Sequence, residues 1–373
     1  MHSSDTKPER NNEELLREVF MKFRTGAVFV KGRPYGSGHI HDTFLVETAG
    51  DSDNFILQRL NNRIFKDIPR LQENIERVTV HLRKKLQQAG SSDLKRECLT
   101  LIPSVDGKTW ITDSEGKFWR MYIFISGHHS YDIVDSTEKA FQGGKAIGRF
   151  QALLSDLGGA PLNETIPFFH DISKRLDTFN SSVKRDPAGR VKNASNEIRD
   201  VLDRAEKMKI ILKLGSEGKI PLRITHNDTK FNNILLDEHD RALCVIDLDT
   251  VMPGYVHYDF GDAIRTAANT AAEDETDLSK VRMDISLFEA YAKGYLEEMR
   301  STLNSIEKEW LAFAPQLITY TIAVRFLSDY LDGDIYFKIH RPGHNLHRAS
   351  AQLMLVKSME AQYAEMQKII HKL

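Results

Sequence analysis

The sequence predicts an α+β chain of two lobes: a small antiparallel-sheet lobe, then a larger, mainly helical one. Three observations carry this. Short β-type runs separated by turn signals crowd the first third. From about residue 136 apolar residues recur every three or four positions over long segments. A single pair of strand-like runs near 223–249 interrupts those helices. The boundary is expected at 126/127, giving lobes 1–126 and 127–373.

Each element has its own signal. Residues 1–12 are polar, and 13–23 place Leu15, Leu16, Val19, Phe20 and Phe23 at helical spacing. Strand-like runs follow at 27–31, 43–48, 54–59, 98–103, 109–112 and 118–124, with Asp106-Gly107 and Glu115-Gly116 among the turns. The exception is 66–88, where Ile68, Leu71, Ile75, Val78, Leu82 and Leu86 define one amphipathic helix. Later helices are expected over 136–157, 169–182, 194–214, 279–304, 306–331 and 347–370, with a surface connection at 215–218.

Composition excludes several classes. The 373 residues are 41% hydrophobic and 28% charged, with a net charge of -2, the balance of a soluble globular chain. That charge gives no general attraction to nucleic acid or an anionic membrane. Cys98 and Cys244 are too few for a disulfide framework or zinc site and suit reduced thiols. No apolar run approaches a membrane span, and the polar start is unlike a secretory signal. The expected location is cytoplasmic, with no nucleic-acid or membrane partner; oligomeric state is left open.

The most informative stretch is Ile224–Asp249, ITHNDTKFNNILLDEHDRALCVIDLD. His226-x-Asp228 is followed by Asn233 five residues on, and Asp247 ends a second apolar run. A carboxylate to orient a hydroxyl and take its proton, with an amide and a second carboxylate to hold Mg²⁺, is what phosphoryl transfer from ATP needs. An ordinary polar turn would explain any one of these residues, but not the ordered set. ATP is expected between the lobes, since small-molecule sites favour domain interfaces.

Upstream, Tyr35–Phe44 (YGSGHIHDTF) lies between two strand-like runs. Gly36, Ser37 and Gly38 offer backbone N–H groups free of bulky side chains, suited to phosphate oxygens. A strand follows rather than a helix and the third Gly is missing, so this is no dinucleotide fingerprint. No G-x-x-x-x-G-K-[ST] occurs either. The next strand, Phe55–Arg59, lacks the usual Lys for the α/β-phosphates; Gln58 or Arg59 stands near its place, on opposite strand faces. Glu76 on helix 66–88 is a candidate partner for such a cation, or simply a solvated charge.

At these residues the chain resembles the aminoglycoside phosphotransferase and choline kinase superfamily, which has the protein-kinase-like fold. It is more closely similar to bacterial N-acetylhexosamine 1-kinases. The stretches that carry the likeness are YGSGHIHDTF (35–44), FILQRLN (55–61), HNDTKFNN (226–233), VIDLDTVMPG (245–254), YDFGDAIR (258–265) and RFLSDYLDGDIYF (325–337). The resemblance implies transfer of the ATP γ-phosphoryl group to the anomeric hydroxyl of GlcNAc or GalNAc. It implies that Asp228 is the base, that Asn233 and Asp247 bind Mg²⁺ with Asp249 assisting, and that Arg325, Tyr336 and His39 reach the sugar. It places backbone groups of Met121, Ile123 and Ile125 against adenine. Asp259 or Asp262 is expected to support the catalytic loop, with Asp262–Arg265 as a possible plain helix pair.

Other readings have their own signatures. A choline kinase would need an aromatic cage, and an aminoglycoside kinase an acidic acceptor pocket. A metal-dependent hydrolase using His226, Asp228 and Asp247 would need further ligands. A catalytically dead nucleotide-binding scaffold is at odds with the intact Asp228, Asn233 and Asp247. His128, His129, His344 and His347 lack partners at ligand spacing and read as loop histidines. Residues 347–370 read as a packing helix.

Overall fold

A computed structural model describes residues 12–36 and 40–373. Ser37, Gly38 and His39, expected at the phosphate and sugar, lie outside the described residues. The chain divides into two compact units, Met1–Ser126 and Gly127–Leu373. The fold is a bilobal α+β protein-kinase-like fold.

The first unit is built on an antiparallel sheet of β1 (Phe29–Pro34), β2 (Asp42–Thr48), β3 (Phe55–Arg59), β4 (Ile111–Thr112) and β5 (Phe118–Ile123), in the order β1-β2-β3-β5-β4. Alternation sets its two faces. Phe44, Leu57 and Met121 are aligned across three strands and join a core with Val19 and Phe20 of α1 (Asn12–Phe20). Thr43, Gln58 and Arg120 align on the other face. Helix α2 (Ile68–Gln88) starts where Asp67 accepts the Arg70 amide and Pro69 occupies the first turn. The 98–103 run is not a strand. After the short α3 (Leu94–Glu97) it touches β5 only through an isolated Leu101–Tyr122 bridge, and Pro103 lacks the N–H to extend pairing.

The second unit is helical. Its elements are α4 (Thr137–Leu154), α5 (Ile172–Arg185), α6 (Ser195–Met208), α7 (Ile210–Ser216), α8 (Val256–Ala267), α9 (Ile285–Met299), α10 (Ser305–Glu309), α11 (Ala314–Leu331), α12 (His344–Ala361) and α13 (Tyr363–Lys372). Strands β6 (Arg223–Thr225) and β9 (Met252–Gly254) form one antiparallel pair. Strands β7 (Ile234–Leu236) and β8 (Ala242–Val245) form another.

Several long helices of the sequence reading are divided. The 194–214 segment breaks at Lys209, and α7 runs into the expected connection as far as Ser216. The 279–304 segment begins its helix only at Ile285, where Asp284 caps the Ser286 and Leu287 amides. The 306–331 segment restarts at Ala314, with Pro315 in the first turn of α11, the position proline tolerates. The 347–370 segment divides at Gln362. His344 and His347 belong to α12 rather than a loop, and His344 is buried with Nε2 2.9 Å from Asp274.

Helix α11 is the axis of the second unit. Of its 18 residues, all but Arg325 are buried. Helices α4 and α9 cross at contact distance because Gly144 and Gly294 carry no side chain; a Cβ on Gly144 would overlap the Tyr291 carbonyl. Among the described residues no helix is long and apolar enough to cross a membrane.

Candidate active site

The loop after β6 gathers the polar cluster. His226 is fully buried, and its backbone N–H donates to Asp259 Oδ2 at 2.8 Å. Asn227 takes the left-handed conformation (φ 66) and donates its N–H to Asp259 Oδ1 at 2.6 Å. Gln151 Nε2 donates to Asp259 Oδ2, and the Thr229 hydroxyl to the Asp259 carbonyl, both at 2.6 Å. Asp259 is therefore the supporting carboxylate. Burial pushes its carboxyl up to about 6, opposed by His226 and those donated hydrogen bonds. Asp262 instead forms a buried pair with Arg265 at 2.8 Å, not a surface pair.

His226 serves geometry. Its Nε2 donates to the Ile246 carbonyl at 2.8 Å, which makes Nδ1 the acceptor for the Asp228 amide at 3.3 Å. The Ile246 amide donates to the Asn233 carbonyl at 2.9 Å. Ile246, next to Asp247, is thus held by the first and last residues of the His226–Asn233 loop. Asn233 Nδ2 donates to the Asp228 carbonyl at 2.8 Å and lies 3.4 Å from its Oδ2.

The electrostatics separate the carboxylates. Burial works to raise Asp228, but the neighbouring Lys230, 3.1 Å away, together with His226 and Arg265, brings it below the usual carboxylate range. Asp247 is pushed up to about 7 by burial, then by the charges of Asp249 and Asp228. It is also held at φ 61, the left-handed region. Lys230 is raised, chiefly by Asp228. Sequence reasoning passed over Lys230, although its place two residues after Asp228 was the available signal.

A cation would relieve the crowding of Asp247 with Asp249 and Asp228. Asn233 and Asp247 supply the oxygen donors that suit Mg²⁺ when phosphates complete its shell. Among the described residues no three His, Cys, Asp or Glu side chains form a ready-made metal cage. Two carboxylates and an amide would be the donors.

In the first unit, Gly36 adopts φ 78, a conformation that favours glycine. Gln58 uses both ends of its amide: Nε2 donates to Thr43 Oγ1 at 3.0 Å and Oε1 accepts from Arg120 at 2.8 Å. Arg59 pairs with Asp42 at 2.7 Å on the opposite face. The cation beside Gln58 is therefore Arg120, from the neighbouring strand and buried, which the pattern of β3 alone did not reveal. Glu76 is solvent-exposed. Met121 is a core residue whose carbonyl accepts from the Ile102 amide at 2.9 Å. The Ile123 amide donates to Thr100 at 3.0 Å, and the Ile125 side chain is buried.

Arg325 lies against three aromatic rings. Its guanidinium carbon lies 5.3 Å from the Phe169 centroid, 5.9 Å from Tyr336 and 5.5 Å from Phe337. Tyr336, expected from the resemblance to reach the sugar, is 58% exposed. Asp329 fixes its loop by accepting the amides of Ile335, Tyr336 and Phe337 at 2.9, 2.7 and 3.0 Å. His170 links this region to the catalytic loop: its ring is 4.6 Å from Phe169, and its Nε2 lies 2.8 Å from the Asn227 carbonyl.

The fold and this cluster define a phosphotransferase, and comparison with known proteins agrees. Residues 31–302 match the phosphotransferase enzyme family that includes the aminoglycoside phosphotransferases, and the chain belongs to that family. An aminoglycoside phosphotransferase from Alicyclobacillus acidocaldarius is similar in structure, with 11% identity, a TM-score of 0.58, and 95% and 96% of the two chains covered. A Plasmodium vivax ethanolamine kinase has 13% identity, a TM-score of 0.54, and covers 86% and 81%. A choline/ethanolamine kinase family protein from Mesorhizobium loti has 13% identity, a TM-score of 0.53, and covers 92% of each. At such identities the likeness concerns the fold. The family's chemistry is ATP-dependent phosphotransfer to a small hydroxyl-bearing substrate.

Proposed function

We propose that the acceptor is a sugar and that Asp228 receives the proton of its anomeric hydroxyl, N-acetylhexosamines being the acceptors the motifs best fit. The observation that carries the catalytic part is the coupling of Asp228 to Asp247 through His226, Ile246 and Asn233. It would hold a base at Asp228 and a metal ligand at Asp247 as one rigid unit, and phosphoryl transfer depends mainly on such alignment. The sugar oxygen forms a bond to the γ-phosphorus as the bond to the ADP oxygen breaks, and the hydroxyl proton goes to Asp228. Lys230 keeps Asp228 ionised, so the carboxylate is ready to accept. Asn233 and Asp247, backed by Asp249, would hold Mg²⁺, which neutralises phosphate charge when bound.

The choice of a sugar rests on the YGSGHIHDTF, VIDLDTVMPG, YDFGDAIR and RFLSDYLDGDIYF stretches. It is supported by Arg325, a donor with fixed geometry beside aromatic faces, as ring hydroxyls and an acetamido carbonyl require. The family membership by itself supports a wider class: another sugar, an amino alcohol or an aminoglycoside. A guanidinium at the proposed acceptor side disfavours the two cationic kinds. A hydrolase is disfavoured as well, because both ring nitrogens of His226 are engaged within the loop.

The test is incubation with Mg-ATP and GlcNAc, GalNAc, glucose, galactose, choline and kanamycin, with products read by phosphorus NMR. An anomeric phosphate on the N-acetyl sugars supports the reading. Turnover of another acceptor with none of either N-acetyl sugar rejects it within the same family chemistry.

A further inference from the structure

Arg325 is not alone: Arg175, on α5, flanks the same residue, its guanidinium on the Phe169 carbonyl and that of Arg325 5.3 Å from the Phe169 ring. Burial, then the charge of Arg325, lowers Arg175 to about 10. Arg175 Nε and one terminal nitrogen both donate to the Phe169 carbonyl, at 3.2 and 2.8 Å, which anchors Arg175 to the residue whose ring faces Arg325. Among the described residues no carboxylate lies within ion-pair distance of either arginine. Asp171 acts on Arg175 only through space, and its own Oδ1 accepts the Lys174 amide as a helix cap.

This departs from the pattern elsewhere in the unit. Four arginines that brace the unit have acidic partners, Arg190 with Asp334, Arg204 with Glu360, Arg223 with Glu307 and Arg265 with Asp262, while Arg348 is held by the Lys338 carbonyl and Asn345. Partly buried cations left without an anion are costly, and two together more so. A ligand that brings the missing charge would offset that cost. The neighbouring surface carries exposed apolar residues as well. Phe168 holds the left-handed conformation at φ 55 with its side chain 55% exposed, and Ile335 is 80% exposed. The Asp329 clamp and the hydrogen bond from Asn345 to Asp334 at 2.9 Å fix the loop that carries Tyr336.

We propose that Arg175 and Arg325 form a seat for an anionic substituent, carboxylate or phosphate, on the sugar acceptor. The proposal rests on the sugar-kinase reading and refines it. Neutral N-acetylhexosamines use a guanidinium only as a hydrogen-bond donor. An acidic sugar also neutralises the paired charge, so the acidic member of a matched pair is the better acceptor. Transfer itself is as above, at the anomeric hydroxyl, with the acidic group unchanged.

The experiment compares KM within two matched pairs, D-glucuronic acid against D-glucose and N-acetylglucosamine 6-phosphate against N-acetylglucosamine. It uses the full chain with Mg-ATP at low and high ionic strength. The expected result is a KM at least about tenfold lower for one acidic member, an advantage that shrinks with salt. The pair that responds distinguishes carboxylate from phosphate. In Arg175→Gln the advantage is lost, and Arg175→Lys restores part of it; should Arg175→Gln fail to fold, the salt dependence of the wild-type KM ratio decides. Equal or weaker use of both acidic sugars overturns the seat and leaves the kinase reading intact. Salt-sensitive binding of an acidic sugar without phosphorylation of any sugar keeps the seat and rejects the sugar-kinase reading.

Discussion

His226 Nε2 donates to the Ile246 carbonyl at 2.8 Å, tying the residue two before the candidate base to the residue just before the candidate metal ligand. Losing that bond separates Asp228 from Asp247. His226→Ala is expected to lower kcat by about a hundredfold, because small misplacements at a reacting centre have such effects. KM for the acceptor should move much less. Steady-state kinetics on folded variant checks this, and a kcat within threefold of wild type contradicts it.

Asp259 receives the amides of His226 and Asn227. In Asp259→Asn one carboxylate oxygen becomes an NH₂ group facing a donor. Leaving a buried amide unsatisfied costs about 2–4 kcal/mol in this setting. Urea unfolding should show that loss, together with a large fall in activity. A variant of wild-type stability would show that the clamp does not hold the loop.

That Asp228, Asn233 and Asp247 lie together was legible because they sit on one short loop and the strand pair after it. Sequence order fixes their neighbourhood there. Arg175 was not legible: a charged residue on an amphipathic helix looks like any solvated one until tertiary packing places Phe169 and Arg325 around it. The division of labour between Asp259 and Asp262 was equally hidden. The two are three residues apart on α8 and differ only in what faces them. Helix lengths were overestimated where periodicity continued through a break, as around Pro315 and Gln362.

Buried imidazoles make stability depend on pH. Burial lowers both His170 and His257 to about 4, each with Nε2 near a carbonyl, Asn227 at 2.8 Å and Glu307 at 3.0 Å. Their unfolded value is about 6.5. Above 6.5 neither state is charged and stability is complete. As pH falls from 6.5 towards 4 only the unfolded chain gains these protons, so stability drops by up to about 3 kcal/mol per imidazole. His257→Gln should therefore lose less stability than wild type over that window. Parallel denaturation curves at pH 7 and 4.5 check it, and equal losses in both proteins refute it.

Gly144 permits the close crossing of α4 and α9. A Cβ there would overlap the backbone carbonyl of Tyr291, which cannot rotate away. Gly144→Ala should destabilise the chain by about 3 kcal/mol, the upper range for overpacking, despite the better helix propensity of alanine. Thermal unfolding measures it. A gain in stability would show that the helices separate freely.

The most direct test is the Asp228→Asn variant, read by ADP formation with N-acetylglucosamine and by separate titration of Mg-ATP binding. The account predicts a kcat lower by about a thousandfold, in the range for loss of a positioned base. It also predicts a nucleotide Kd within about threefold of wild type, since Asn233 and Asp247 remain. Turnover within tenfold of wild type, with binding intact, would contradict the assignment of Asp228 as the proton acceptor.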